Sequence, residues 1–199
     1  GNYNQIGQDI DGEAATDYFG WATSINSVGD RIAVGGYFND GNGADAGHVR
    51  IFENNGSNWN QLGQDIDGEA SGDQSGFAVS INSIGDIVAI GGFANDGNGL
   101  SSGHVRVYQW NGISWTQLGL DIDGEASTDQ SGYSVSINSV GDRVAIGAIL
   151  NDGGGNDAGH VRIFEWNGIS WTQLGNDIDG EAVADSFGQS VSINSVGDR

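Results

Sequence analysis

The residues best suited to chemistry in this chain are carboxylates set at a fixed spacing. Asp9, Asp11 and Glu13 stand in the run Asp-Ile-Asp-Gly-Glu, with Asp17 four residues beyond. The set returns as Asp65, Asp67, Glu69 and Asp73, as Asp121, Asp123, Glu125 and Asp129, and as Asp177, Asp179, Glu181 and Asp185. Hard oxygen ligands at alternating positions, with a glycine to turn the chain, are what a calcium loop requires. The run lacks the third alternating Asp or Asn and the distal Glu of a complete EF-hand loop. Asp and Gly also shape turns by capping loop N–H groups, which is the alternative use of the same residues. Calcium is the cation these loops lead one to expect.

A second polar stretch, Asn39, Asp40, Asn42 and Asp45, recurs as Asn151, Asp152, Asn156 and Asp157, but its middle copy reads Asn95, Asp96, Asn98, Leu100 and Ser101. A cation site common to every copy would not lose an acid in one of them, so this stretch is expected to be a turn. His48, His104 and His160 each stand in Gly-His-Val-Arg. Equal spacing puts them at equivalent points of separate units, which argues against joint catalysis or a shared zinc and for a repeated structural hydrogen bond, with a loop Asp as the partner. Arg50, Arg106 and Arg162, two residues further on, are expected to pair with Asp or Glu. Trp59, Trp115 and Trp171, together with Trp110 and Trp166, read as packing between units, with exposed sugar-stacking platforms as the alternative.

No nucleophile, base and orienting group can be assembled. Cys is absent, no Ser lies in a nucleophile-elbow motif, and the histidines fall one per unit. A catalytic centre on a repeat fold normally breaks the repeat, and these copies are nearly uniform. The chain is therefore read as non-enzymatic.

The unit that must position these residues begins at Gln5, Gln61, Gln117 and Gln173, a period of 56 residues. A fixed period of this length means an array of supersecondary units, each needing a neighbour to bury its apolar faces. Within the first unit, Phe19 to Asn26 alternates small or polar with apolar residues and predicts strand A; Ser27 to Asp30 is a turn, and Arg31 to Gly36 predicts strand B. The loop Asn39 to Gly47 leads into strand C, Gly47 to Glu53. Asn-Gly at Asn55, Asn111 and Asn167 is a hairpin signal, both turn positions calling for positive φ, and strand D follows. Four short antiparallel strands per repeat describe a propeller blade, whereas solenoid coils are shorter and contain no paired hairpins. The expected fold class is all-β, a β-propeller of four-stranded antiparallel blades, about three and a half of them in this chain.

Residues 1–18 then supply the outer strand and loop of a preceding blade, 19–74, 75–130 and 131–186 three blades with their loops, and 187–199 the first strand of an incomplete blade. Three blades cannot close a ring, since propellers have about four to eight. Self-association or membership of a longer chain is expected, as the missing initiator Met also suggests.

Composition bounds the partners. A formal charge of -21, with all six basic residues Arg, repels phosphate backbones and anionic lipid, so neither nucleic acid nor membrane insertion is expected. No apolar run approaches the roughly 18 residues of a membrane span. Extreme acidity without Lys suits a secreted or cell-surface setting, and absence of Cys fits either redox compartment.

The run Phe19-Gly20 to Ser24-Ile25, repeated at Phe187-Gly188, followed by Ala-Val/Ile-Gly-Gly/Ala at Ala33, Ala89 and Ala145 and then by Gly-His-Val-Arg, resembles the FG-GAP repeat of integrin-α-like β-propellers, most closely the acidic tandem forms of secreted bacterial proteins. The resemblance covers almost the whole chain. It implies a calcium-bearing, extracellular adhesion or binding module with a protein or glycan ligand. Ser75-Gly76 and Ser131-Gly132 depart from Phe-Gly, no copy has the Pro of the pattern, and the A-to-B turn, Asn26 to Asp30, lacks the family's calcium loop. The alternatives are a structural protein assembling through unpaired blade edges into a two-chain ring or filament, and a carbohydrate-binding lectin.

Overall fold

The computed structural model describes residues 4–199; Gly1 to Tyr3, part of the expected first outer strand, lie outside the described residues. The first blade contains β1 (Ala22–Ile25), β2 (Arg31–Gly36), β3 (His48–Asn54), β4 (Trp59–Gln61) and β5 (Ile66–Asp67). β1, β2 and β3 pair antiparallel in chain order, β4 pairs the far end of β3 and β5 its beginning. The second blade repeats this with β6 (Ala78–Ile81), β7 (Ile87–Gly92), β8 (His104–Trp110), β9 (Trp115–Gln117) and β10 (Ile122–Asp123). The third does so with β11 (Ser131–Ile137), β12 (Arg143–Ala148), β13 (His160–Trp166), β14 (Trp171–Gln173) and β15 (Ile178–Asp179). These are blades of a β-propeller in which the outermost of four strand positions is shared by two short pieces.

That division corrects the sequence reading in three places. The Asp-Ile-Asp run is not wholly a loop: Ile66 and Asp67 pair with Val49 and His48, so the chain returns to strand C after a corner at Gly63, where φ is +82°. The Asn-Gly hairpins are four-residue loops rather than two-residue turns. Gly56 takes φ +94° while Asn55 stays at negative φ, and the Asn55 carboxamide oxygen instead accepts the N–H groups of Ser57 and Asn58. Phe187 to Asn194 forms no ladder; its one bridge is parallel, from Phe187 to Gly159. Asn4 to Gly7 forms none either.

Each A-to-B turn is organised by one asparagine. The Asn26 side-chain oxygen accepts from the N–H groups of Gly29, Asp30 and Arg31, and its amide donates to Asp30; Asn82, Asn138 and Asn194 do the same. The turns then join in a chain around the propeller axis, Ser27 N donating to Ser83 O, Ser83 N to Ser139 O and Ser139 N to Ser195 O, each at 3.1 Å. Ser24, Ser80 and Ser136 add a rung each by accepting the N–H of Ile81, Ile137 and Ile193.

The core lies between blades, not within them. Ala33, Val49 and Ile51 of the first sheet pack against Ile81, Val88, Ile90 and Trp115 of the second, and Ala89, Val105 and Val107 pack likewise against Ile137, Val144, Ile146 and Phe164 of the third. Strand alternation sends one apolar set to each neighbour, and each fully buried Ile or Val contributes about 1.5–3 kcal/mol. The Phe-Gly or Ser-Gly glycines Gly76, Gly132 and Gly188 sit in close contact with strand B of the preceding blade. A Cβ on Gly35 would stand 2.1 Å from the Gly76 carbonyl oxygen, and Gly76 itself has φ +88°, so neither position admits a side chain.

Candidate metal groups and an aromatic rim

The four carboxylates of each acidic loop do not converge on one point. Asp65 is placed by β5 beside the start of β3 of its own blade, with its Oδ2 3.9 Å from Nδ1 of His48. Glu69, four residues on, reaches forward to the next blade, Oε2 lying 3.8 Å from Nδ1 of His104 and Oε1 3.6 Å from Nη1 of Arg106. Asp73 turns back to accept the N–H groups of Glu69 and Ala70. Asp67 directs Oδ1 toward Gly41 in the B-to-C loop. Among their equivalents, Asp17 and Asp129 are buried and accept from Asn39 and Asn151 at 2.8 and 2.9 Å, while Asp185 caps the N–H of Ala182. Asp11 and Asp123 lend their backbone carbonyls to Arg50 and Arg162. Asp9 and Asp177 accept from Gln5 and Gln173. Glu181 and Asp179 are exposed or on the short β15.

What the fold does bring together is one glutamate, one histidine and one aspartate per blade. The groups are Glu13, His48 and Asp65; Glu69, His104 and Asp121; and Glu125, His160 and Asp177, with the ligand atoms of each within 4.8 Å of one another. Every group takes its Glu from the loop before the blade and its Asp from the loop after it. His and Arg lie two apart on strand C and so point to the same face. The Arg donates Nη2 to the carbonyl of Asp11, Asp67 or Asp123 at 2.6–2.7 Å and faces the Glu at 3.6–3.7 Å, as expected of it.

The expected hydrogen bond of the histidines is absent. All three imidazoles are sealed from solvent, and Nδ1 of each has no hydrogen-bond partner; at 3.7–3.9 Å the carboxylates are too far to accept. Burial, outweighing the neighbouring carboxylates, holds His48 below the ordinary imidazole range, and burial followed by Arg162 does so for His160. Burial raises the Asp67 and Asp123 carboxyls, with Asp65 and Asp121 adding to it. Asp121 is lowered, chiefly by His104 beside it.

The B-to-C loops behave as turns. Asp40, Asp96 and Asp152 accept from the N–H of residues 45, 101 and 157, each of which has a positive φ. Asn42 and Asn98 clamp the acidic loop by donating to the carbonyls of Gly68 and Glu69 and of Gly124 and Glu125.

The strand D tryptophans join blades. Trp59, Trp115 and Trp171 donate Nε1 to the carbonyls of Ile6, Leu62 and Leu118, 53 residues upstream. Exposed aromatic surface lies elsewhere, where sequence reading had not looked. Trp21, at the entry to inner strand β1, is 54% exposed and Tyr18 53%. Trp21 packs on Tyr37 at 5.1 Å and on Phe77 of the next blade at 5.7 Å; Tyr18 contacts Tyr37 and Phe38; Phe77 continues to Phe93 and Tyr133 at 4.5 and 4.9 Å. The signal was present in the repeat alignment, where position 21 is Trp, then Phe77, then Tyr133, and then Gln189.

Among the described residues no helix is long and apolar enough to cross a membrane. No family model matches the chain, and no curated protein matches it. Of solved structures, hydrazine synthase of Kuenenia stuttgartiensis is similar in fold, with a TM-score of 0.56 at 9% identity over 98% of this chain. A Bacteroides uniformis protein assigned as a 6-phosphogluconolactonase aligns over 80% of the chain at 8% identity, with a TM-score of 0.40, too low to carry an argument. The chain spans 44% and 56% of their lengths.

Proposed function

We propose that this chain is a non-catalytic binding module of the FG-GAP propeller type, secreted or displayed at the cell surface, whose ligand face is the aromatic rim of its first two blades. One observation carries the reading: Trp21 and Tyr18 stand half exposed on a platform of Tyr37, Phe38 and Phe77, at a position where the copies differ, running Trp21, Phe77, Tyr133 and Gln189. Flat aromatic faces stack on the C–H faces of sugar rings and desolvate them, and a large aromatic patch on a soluble domain marks a binding surface. The acidic body disfavours anionic ligands, so the class favoured is a neutral glycan. The non-catalytic reading is supported by the sameness of the His, Arg and carboxylate set in every blade. The FG-GAP reading is supported by the glycine at the Phe-Gly or Ser-Gly position, since Gly76, Gly132 and Gly188 each close on the strand B glycine of the preceding blade, Gly35, Gly91 or Gly147.

The test is a panel of neutral and anionic glycans against the folded chain and its Trp21→Ala variant. Retention of neutral glycans by the parent and not by the variant supports the proposal. Binding that survives in the variant, or no binding to any neutral glycan, removes the rim as a sugar platform.

A further inference from the structure

The three Glu-His-Asp groups share a feature that hydrogen bonding leaves unexplained. His48 is 0% exposed and His104 and His160 1%, yet Nδ1 of each is unpartnered. Leaving a buried polar atom unpaired costs about 1–3 kcal/mol, and the fold does so at the same atom in three blades. That atom does not face an apolar wall. It faces two carboxylate oxygens, at 3.9 and 3.9 Å in the first group and 3.8 and 3.7 Å in the second, and Glu125 at 3.9 Å in the third.

We infer that each group is a binding site for one divalent transition cation of the zinc class, with Nδ1 of His48, His104 or His160, the carboxylate of Glu13, Glu69 or Glu125, and that of Asp65, Asp121 or Asp177 as its protein ligands. Zinc bonds of about 2.0–2.2 Å put tetrahedral ligand atoms ~3.3–3.6 Å apart. The imidazole-to-carboxylate distances of 3.7–3.9 Å therefore have to close by a few tenths of an ångström and the widest separations in a group, which reach no more than 4.8 Å, by about 1.5 Å at most, and the nearly half-exposed Glu has the rotamer freedom to do it. A fourth position is left to water, and Glu69 and Asp121 line a cavity of about 490 Å³ open to solvent, which gives a cation a way in. The other Glu oxygen is held by the strand C Arg, an outer partner that orients the ligand. Calcium is disfavoured because it takes six to eight oxygens and has no use for a buried imidazole nitrogen.

Since Glu69 and Asp121 come from successive loops, one cation fastens both to the blade between them, and three cations link four consecutive loops. The inference is independent of what the aromatic rim holds.

Chelator-treated protein titrated calorimetrically with Zn²⁺, in buffer containing millimolar Ca²⁺, provides the test. The expected result is three equivalents per chain. His48→Gln, His104→Gln and His160→Gln each remove one, weakening it by more than about 100-fold, and Co²⁺ in place of Zn²⁺ gives the visible absorption of tetrahedral nitrogen and oxygen coordination. If the triple histidine variant does not fold, Glu13→Gln, Glu69→Gln and Glu125→Gln together, at solvent-facing side chains, give the same readout. Fewer than three equivalents, three that persist in the ligand variants, or displacement of Zn²⁺ by Ca²⁺ at equal concentration overturns the inference.

Discussion

The outer loops and the inner rim of this propeller follow opposite rules. At the outer edge the Glu, His, Asp and Arg recur in all three blades, the His-to-Glu distances at 3.8–3.9 Å and the Arg-to-Glu distances at 3.6–3.7 Å. At the mouth of the axis the corresponding position runs Trp21, Phe77, Tyr133 and Gln189, and the position after strand B runs Tyr37, Phe93 and Ile149. A side chain kept identical in every copy answers a demand that every copy makes, which in a propeller is to hold one blade to the next. A side chain allowed to differ from copy to copy is free of that demand and is available for a ligand that meets the ring at one place. The acidic groups are on this view joints, and the aromatic rim is the surface the joints support.

If that division holds, the largest loss of stability comes from the joints. Arg106 is 6% exposed and ties β8 to the preceding loop through the Asp67 carbonyl at 2.7 Å. Arg106→Met keeps most of the apolar stem but leaves that carbonyl and Glu69 without their donor, so urea unfolding should show a loss on the order of 3 kcal/mol. Arg162→Met should match it within about 0.5 kcal/mol, because the two environments repeat. A large difference between them would mean that the blades are not equivalent at their edges.

Phe77→Ala comes next. It removes the one rim residue that touches Trp21, Tyr37, Phe93 and Tyr133 together. Half-buried, it should cost about 1.5 kcal/mol, less than the arginine. A cost above that of Arg106→Met would make the rim part of the blade-to-blade framework and erase the distinction. Phe19→Ser should cost about 1 kcal/mol. It copies into the first blade what Ser75 and Ser131 already do in the others, removing a ring that lies 4.3 Å from the Arg50 guanidinium.

The same division explains what could be read without coordinates. Period, strand order and the placing of His, Arg and Trp on strands C and D were legible, since each depends on alternation and turn residues within one repeat. Return of Ile66 and Asp67 to strand C was not. A two-residue strand has no periodicity to show, and its reason lies in Val49 and His48 opposite. The sorting of Asp65 and Glu69 into different groups was hidden for a related reason: sequence places them in one run, and only the stacking of blades sends one back and the other forward. The rim was not legible for a different reason: Trp21, Phe77 and Tyr133 share aromaticity and not identity, so the period does not mark them.

The smallest effect on stability is the one that separates the regions most sharply. Trp21 has over half its surface in solvent and none of the blade-joining hydrogen bonds made by Trp59, Trp115 and Trp171, so its removal takes away ring contacts to Tyr18, Tyr37 and Phe77 and little else. Trp21→Ala should lower stability by less than about 1 kcal/mol and leave the denaturant slope unchanged. Acrylamide quenching of the native protein should fall disproportionately, because Trp115 is 3% exposed and the variant loses the most accessible indole. That outcome would fit the proposed role of Trp21 as a contact for a ligand outside the chain. If Trp21→Ala instead unfolds at markedly lower denaturant, the rim is framework like the rest, and the search for a ligand surface moves to the outer edge.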